Sequence, residues 1–424
     1  MDVREEIEAL VEFDGRGPGT DAERRAAGHL EQRLRDLGRE ADTEPVTVWP
    51  NWALTYALHA SMAIVGSVVS VTVPVIGAVL VLLAVILTFL DASGMFVSTR
   101  RLLGRRSSQN VVSSEDGDKG GDLVLVAHYD AGRGGLVFNR SLQERRATLG
   151  KLIRRPIGPF QPFLWTLVAV MVCTLLRLPG IDSVILTVIQ FIFTVLLILA
   201  VPVLLDTALA ATTPGANDNA SGAATVMRLA ERFGGKLEHF DVHVLLTGSQ
   251  EALGLGMRSF LKRRKGELDK ERAVFINLDE VGAGTVRYTT TEGLFPSVKS
   301  HKQLVDLCEE IVEDATEEEK DDGEDGEDGE GENRFGARGV VSRTASDGYA
   351  ARSAGFPAIT ISCRNAVDYV PTHHQPGDTP DRIDDEALER AFGFCSELIE
   401  RLDATVGPDL DRPVPATLLN EEES

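Results

Sequence analysis

The chain has 424 residues and a formal net charge of −22, from 43 Lys and Arg against 65 Asp and Glu. This sign disfavours nucleic-acid binding, because the phosphate backbone attracts basic surfaces. Most basic residues are Arg and acidic residues are abundant, a balance typical of proteins kept soluble in very high salt, so we expect a halophilic protein in a salt-loaded cytoplasm. An acidic surface that attracts a basic substrate is the weaker alternative, because such salt screens charges within a few ångströms. The four cysteines form no CxxC pair, which predicts neither a disulfide framework nor a cysteine zinc site.

The first predicted elements are two helices within residues 2–38. Apolar residues recur there at helical spacing on both sides of a Gly- and Pro-containing break at residues 15–19. The first residues lack the basic and then apolar arrangement of a signal peptide, so we expect no export signal.

Two apolar blocks follow, each long enough for two membrane spans. Residues 52–90 contain no Asp, Glu, Lys or Arg, and residues 157–205 contain only Arg177 and Asp182. A spanning helix needs about 20 apolar residues. We therefore predict two transmembrane hairpins, with spans at residues 52–72, 73–90, 157–176 and 183–205. Buried helical hairpins in a soluble core are the alternative, which such long uncharged runs disfavour.

The charges that flank the blocks predict their orientation. Arg residues cluster at 100–106, after the first block, and Arg and Lys cluster at 140–155, before the second. The turns inside the blocks offer only Arg177. Because basic residues near span ends stay in the cytoplasm, we expect an integral membrane protein whose soluble part and termini face the cytoplasm.

The remaining sequence alternates strands and helices. Short apolar runs predict strands at residues 122–128, 240–247, 273–279 and 358–362. Helical periodicity predicts helices at residues 221–233, 256–265 and 304–312. This alternation favours an α/β domain with a mostly parallel sheet.

An acidic, Gly-containing stretch interrupts this pattern at residues 309–333. Its apolar content is too low to form a core, so we expect a disordered loop. The stretch lacks the flanking helices and the twelfth-position glutamate of an EF-hand, which disfavours a specific calcium site.

Polar side chains follow the predicted strands. Ligands of open α/β sheets bind beyond the carboxyl ends of the strands, so these side chains are the candidates for a site. They are two histidines and three carboxylates: His128, Asp218, Glu251, Asp279 and His374. This mixture of nitrogen and oxygen donors suits two divalent metals such as Zn²⁺. A histidine taken singly is more often structural, so the prediction rests on the five residues together.

Five motifs in sequence order carry a resemblance to a known family. They are His-Tyr-Asp at 128–130, Gly-Ala-Asn-Asp-Asn-Ala-Ser-Gly at 215–222, Gln-Glu-Ala-Leu-Gly at 250–254, Asn-Leu-Asp-Glu-Val-Gly at 277–282 and His-Gln-Pro-Gly-Asp-Thr at 374–379. In order and type, the chain resembles the co-catalytic two-zinc aminopeptidases of clan MH, a family with carboxypeptidase and cyclase relatives. The resemblance implies a three-layer αβα domain of the zinc exopeptidase type, two zinc ions, and peptide hydrolysis by a metal-activated water.

The resemblance also divides the chain. It covers the N-terminal helices and most residues after 106, and it excludes the second apolar block, which accounts for the long separation of His128 from Asp218. We expect a peptidase-like domain in three parts, at 1–51, 93–156 and 206–424, interrupted by transmembrane hairpins at 52–92 and 157–205.

Carried over residue by residue, the resemblance implies a ligand set. Asp218 would bridge the two metals. His128 and Asp279 would complete one metal site, and Glu251 and His374 would complete the other.

The resemblance assigns three further features. Asp130 would orient His128, since a carboxylate that accepts the second imidazole N–H fixes the ring. The peptide bond between Asp218 and Asn219 would be cis. The pattern selects His374 over its neighbour His373 as the metal ligand.

One catalytic residue of the family is replaced. The family has Glu-Glu where this chain has Gln250-Glu251, and its first glutamate serves as the general base. An amide does not accept a proton at neutral pH, so we expect weakened hydrolysis rather than none. Glu280 is not expected to replace the general base, because side chains alternate along a strand and Glu280 would point to the face opposite Asp279. The alternative is a catalytically impaired pseudoenzyme that acts as a membrane binding or scaffolding module.

Overall fold

The alternating strands and helices form a mixed α/β domain around one central sheet. The computed structural model describes residues 1–94, 96–97, 99–115, 117–294, 296–321 and 333–410. Nine strands lie within these residues and are numbered β1 to β9 in chain order. Their bounds are Asp42–Val48, Arg106–Ser113, Gly121–His128, Phe240–Thr247, Ala273–Leu278, Thr285–Glu292, Val298–Lys299, Arg338–Val341 and Ala358–Arg364.

The sheet has a parallel centre and antiparallel edges. Its order is β1-β2-β4-β3-β5-β9-β6-β7, with β8 beside β6. Strands β4, β3, β5 and β9 pair in parallel, whereas β2 and β6 run antiparallel to their neighbours β4 and β9. The parallel strands are buried, near-continuous Val, Leu and Ile runs, as expected for strands covered on both faces. The carboxyl ends of four strands therefore share one edge.

The α-helices of the described residues are numbered α1 to α13. Their bounds are Val3–Val11, Asp21–Asp36, Trp52–Val69, Pro74–Ala92, Arg140–Leu152, Gln161–Arg177, Val184–Leu209, Gly222–Phe233, Leu255–Arg263, Lys302–Asp321, Asp347–Ser353, Asp385–Thr405 and Gly407–Leu410. Helices α1, α2, α8, α10 and α12 pack on one face of the sheet, and α9 and α11 pack on the other. Leu123 and Leu125 of β3 point to the first face, and Val124 and Val126 point to the second. This arrangement confirms the predicted α/β class.

Several parts of the chain differ from the prediction. Strands β2, β6, β7 and β8 were not predicted. Residues 42–48, for which no strand was predicted either, form β1, because Val46 and Val48 bury alternate positions against the antiparallel partner β2. Residues 309–321, expected to be disordered, continue α10, because Ile311 and Ala315 extend its buried apolar face. Residues 322–332 of the expected loop lie outside the described residues.

The two apolar blocks form helices α3, α4, α6 and α7, close to the four predicted spans. Helices α3, α4 and α7 are long and apolar enough to cross a membrane, whereas α6 has 17 residues and is shorter. Large apolar side chains are exposed along them, including Val184 and Ile185 at 80% and 72%. Among the described residues, three of the four predicted spans therefore qualify by length and composition.

The four apolar helices pack against one another. Ala57, Ala60 and Ala63 of α3 lie in one cluster with Ala84 of α4 and Leu167 of α6. Small residues of this kind allow helix backbones to approach closely. The side-chain amide of Gln190 on α7 adds hydrogen bonds to the carbonyl and hydroxyl of Ser67 on α3, at 2.8 and 2.9 Å.

A buried ion pair joins α4 to the α/β domain. The Nε atom of Arg100 donates to Oδ1 of Asp91 at 2.8 Å, and neither side chain is exposed. Nη1 of Arg100 donates to the carbonyl oxygen of Ala252 at 2.9 Å. Arg100 therefore connects the end of α4 to the turn that contains Glu251. Loss of either partner of the buried pair would leave the other charge uncompensated.

Candidate metal centre

The predicted site residues lie beyond the carboxyl ends of the parallel strands. His128 ends β3, Glu251 lies in the turn after β4, and Asp279 directly follows β5. Asp218 lies before α8, and His374 lies in the loop between β9 and α12. All five residues reach one cluster because adjacent parallel strands end at the same edge.

Asp218 lies at the centre of the cluster. The amide nitrogens of Asn217 and Asp218 donate to the two carboxylate oxygens of Asp378 at 2.9 and 3.0 Å. The buried Arg16 donates to the carbonyl oxygens of Pro214 and Gly215, just before this segment. The peptide bond after Asp218 is cis, as the resemblance implied. These contacts hold the irregular segment in place.

The two histidines direct the same ring nitrogen at Asp218. Nε2 of His128 lies 3.5 Å from Oδ1 of Asp218 and 3.4 Å from Oδ1 of Asp279. Nε2 of His374 lies 3.5 Å from Oδ2 of Asp218 and 3.0 Å from Oε1 of Glu251. One ligand atom each from His128, Asp218 and Glu251 lies within 4.8 Å of the others.

Backbone carbonyls set this orientation of the rings. Nδ1 of His128 lies 3.0 Å from the carbonyl oxygen of Asp130, and Nδ1 of His374 lies 2.9 Å from that of Arg133. A carbonyl oxygen only accepts, so Nδ1 donates its proton there and Nε2 is the ring nitrogen that is left to bind a metal.

The position of Asp130 differs from its expected role. Its Oδ1 atom is 3.6 Å from Nδ1 of His128, too far for a hydrogen bond, and its backbone carbonyl takes that place. Its carboxylate instead accepts the backbone N–H groups of Gln250 and Glu251, each at 3.0 Å. Asp130 therefore positions the turn that presents Gln250 and Glu251.

Gln250 lines the same cavity as the five candidate ligands. Its side-chain Nε2 donates to the carbonyl oxygen of Ala345 at 3.0 Å. This contact is available to an amide and would be repulsive for a carboxylate.

His373 and Glu280, which were not predicted as site residues, lie beside the cluster. Nδ1 of His373 is 3.3 Å from Oδ2 of Asp218 and 2.7 Å from Oε1 of Glu280. Strand alternation does not apply to Glu280, because β5 ends at Leu278 and Glu280 has a left-handed φ of 60°. The sequence contains no clear signal for this backbone turn.

The charges of the cluster favour a cation. Burial opposes protonation of His128, but the carboxylates of Asp130 and Asp279 outweigh it and raise its pKa well above the ordinary value. Burial would raise the pKa of Asp218, yet the three neighbouring histidines lower it. Oδ2 of Asp218 is also buried without a hydrogen-bond partner. A buried carboxylate oxygen that faces the ring nitrogens of His373 and His374 at 3.3 and 3.5 Å fits a divalent metal, which supplies positive charge.

The cluster lines a cavity of about 160 Å³ with an aromatic wall. The Phe138 ring centroid is 4.2 Å from that of His374 and 6.2 Å from that of Phe160. The Phe160 centroid lies 4.9 Å from that of Trp52, the first residue of α3. The apolar helices and their flanks thus supply one wall of the cavity beside the candidate ligands.

Known proteins resemble this chain in sequence and in fold. Residues 204–399 match the sequence profile of Peptidase family M28, and this segment contains four of the five candidate ligands. A zinc aminopeptidase from Bacillus subtilis has a TM-score of 0.51 at 14% identity, with 94% of each chain covered. A glutaminyl cyclase from Tannerella forsythia has a TM-score of 0.50 at 14% identity, with 94% of this chain and 96% of that chain covered. No curated protein matches the chain. The match to this family supports a metallopeptidase hydrolase, and the two solved structures share the fold of the chain.

Proposed function

We propose that this metallopeptidase hydrolase is a membrane-integrated, zinc-dependent aminopeptidase with a two-metal centre. The observation that carries the proposal is that the Nε2 atoms of His128 and His374 each lie 3.5 Å from a carboxylate oxygen of the buried Asp218. Asp279 lies beside the first histidine and Glu251 beside the second. In the proposed assignment Asp218 bridges two Zn²⁺ ions. His128 and Asp279 complete one site, and Glu251 and His374 complete the other.

The donor set fits zinc in type and arrangement. Each proposed site has one imidazole nitrogen, one terminal carboxylate and a share of Asp218, which leaves room for a water or a substrate oxygen, as in open zinc sites. When bound, the metals supply Lewis acidity and a water of lowered pKa. Asp130 and Asp378 contribute by holding the backbone of residues 250–251 and 217–218.

Gln250 limits the expected rate. In the proposed enzyme no carboxylate stands at position 250 to take the proton of the attacking water, so hydrolysis loses the ~10²–10⁴-fold contribution of a general base. The hydrogen bond from Gln250 to Ala345 favours the second candidate function, a binding or scaffolding module, because the residue is satisfied without a substrate.

The aromatic wall supports a peptide substrate that approaches along the apolar helices. Trp52 and Tyr56 belong to α3, Phe160 directly precedes α6, and Phe163 lies in its first turn. Inserted segments that line the cavity beside Asp218 and His374 would receive an apolar residue of the peptide.

The proposed domain organisation is a peptidase domain in three parts, interrupted by membrane insertions at 52–92 and 157–205.

Metal analysis combined with an aminoacyl-substrate assay tests the proposal. We expect the full-length protein, purified in detergent, to retain two zinc ions per chain. We also expect it to hydrolyse an aminoacyl substrate weakly, with activity lost on chelation and restored by Zn²⁺. One metal per chain would contradict the two-metal assignment, and two metals without hydrolysis would favour the binding module.

The proposed topology makes a separate prediction. All four native cysteines are buried, so engineered cysteines report accessibility with little background. On intact cells, an impermeant thiol reagent is expected to label Ile181→Cys, in the turn between α6 and α7, and not Glu310→Cys on α10. Labelling of Glu310→Cys in intact cells would place the peptidase domain outside the cytoplasm.

A further inference from the structure

A second cavity of about 400 Å³ adjoins the candidate metal centre. It shares Glu280, Arg343 and His373 with the cavity that contains the candidate ligands. Its other walls come from α5, from the segment between α5 and α6, and from residues after β8 and β9. A single elongated ligand would therefore have access to both cavities.

Cations dominate the walls of this second cavity. They are Arg146, Lys151, Arg154, Arg155, Arg343 and Arg364. The first four lie on α5 or in the segment between α5 and α6. This concentration of positive charge contrasts with a chain whose net charge is −22.

Within the part of the chain that the structure describes, no carboxylate forms an ion pair with any of these six cations, and Nε of Arg343 is buried without a hydrogen-bond acceptor. Lys151 donates to the carbonyl oxygen of Ala366 at 3.4 Å, and Arg364 donates to the hydroxyls of Ser342 and Ser362.

The two carboxylates in the walls are already engaged. Asp368 accepts from Arg287 at 3.0 Å and from Arg338 at 2.7 Å. Glu280 lies 2.7 Å from Nδ1 of His373. Among the described residues, these carboxylates therefore leave the positive charge of the cavity free to attract an anionic ligand.

We infer that this cavity, hereafter the basic cavity, binds the C-terminal carboxylate of a short peptide whose scissile bond lies at the metal centre. The inference rests on the proposed function and specifies its substrate class. The aromatic wall receives an apolar residue on one side of the bond, and the basic cavity receives the anionic end on the other. The guanidinium groups of Arg146 and Arg343 suit a carboxylate, because each presents parallel N–H donors.

A matched pair of ligands tests the inference. The probes are a leucyl tripeptide with a free C-terminal carboxylate and the same tripeptide with a C-terminal amide. With the full-length, zinc-loaded protein we expect kcat/KM to favour the acid by about tenfold or more, from charge-assisted hydrogen bonds. Arg343→Gln and Arg146→Gln are expected to remove the preference, so that the ratio of the kcat/KM values for the acid and the amide falls to about one.

Two further variants separate charge from folding. Arg343→Lys retains the charge, so it should keep part of the preference for the acid. Arg145→Gln removes an exposed Arg next to Arg146 that does not line the basic cavity, and it should leave both substrates unaffected. Thermal unfolding of each variant reports whether the fold is intact.

Calorimetry measures the binding of analogues of the same two tripeptides in which the scissile peptide bond is reduced. This measurement distinguishes failure of the inference from failure of the proposed function. Tighter binding of the acid, lost in Arg343→Gln, supports the basic cavity even if no peptide is hydrolysed. Hydrolysis with equal values for acid and amide overturns the inference and leaves the peptidase assignment standing. The inference is also overturned if the Arg variants lose binding to phosphatidylglycerol micelles while they retain the preference for the acid peptide, because the cavity then binds a lipid headgroup.

Discussion

Gln250→Glu is expected to raise the kcat of peptide hydrolysis by ~10²–10⁴-fold, the contribution typical of a positioned general base. The substitution keeps the side-chain length and adds a proton acceptor beside the position proposed for the attacking water. The backbone of residue 250 is held by Asp130 at 3.0 Å, so the new carboxylate starts from the same place. The increase should appear chiefly in kcat, because the base accepts the proton in the transition state and not when the substrate binds.

The contact with Ala345 provides the control for this experiment. Gln250→Glu removes the hydrogen bond to the Ala345 carbonyl, so its effect combines loss of that contact with gain of a base. Gln250→Ala removes the same hydrogen bond without adding a base, so it should show no gain. Equal gains in the two variants would assign the effect to release of the loop. A zinc-loaded Gln250→Glu protein that hydrolyses nothing would identify the chain as a binding module.

Asp218→Asn is expected to abolish retention of both metals and to lower activity more than ~100-fold, beyond the loss typical of a residue that only supports a ligand. Asp218 is the proposed ligand common to both metals, and an asparagine carries neither its charge nor its second acceptor oxygen. Metal content after gel filtration and kcat/KM of the same preparation measure the two effects. The rise in melting temperature on addition of Zn²⁺ should disappear as well, because that rise depends on binding to the folded state.

Asp122→Asn is the matched control. Asp122 lies at the opposite end of β3 from His128 and pairs with Nε2 of His243 at 2.9 Å, so it is also an aspartate beside a histidine. Its substitution should leave the metal content unchanged. Full retention of zinc by Asp218→Asn would contradict the proposed ligand set.

The strands that precede or contain His128 and Asp279 were predictable, because their continuous apolar runs indicate strands covered on both faces without reference to distant residues. The long apolar blocks were equally clear by length and composition. Strands β1, β2, β6, β7 and β8 were not predicted. Their sequences are more polar or shorter, and their strand conformation depends on pairing with other strands.

The chain's sequence alone determined the types of donor atom in the candidate site, their order, and the absence of a carboxylate at position 250. These are properties of covalent structure and do not depend on folding. Only the tertiary structure decided the partners of Asp130, the approach of Glu280 and His373, and the walls of the two cavities. The turn after β5 reverses the alternation of side chains at Glu280, and the packing of α3, α5 and α6 beside the sheet edge brings distant residues together. Contacts of this kind depend on backbone geometry and long-range packing, which local sequence patterns do not encode.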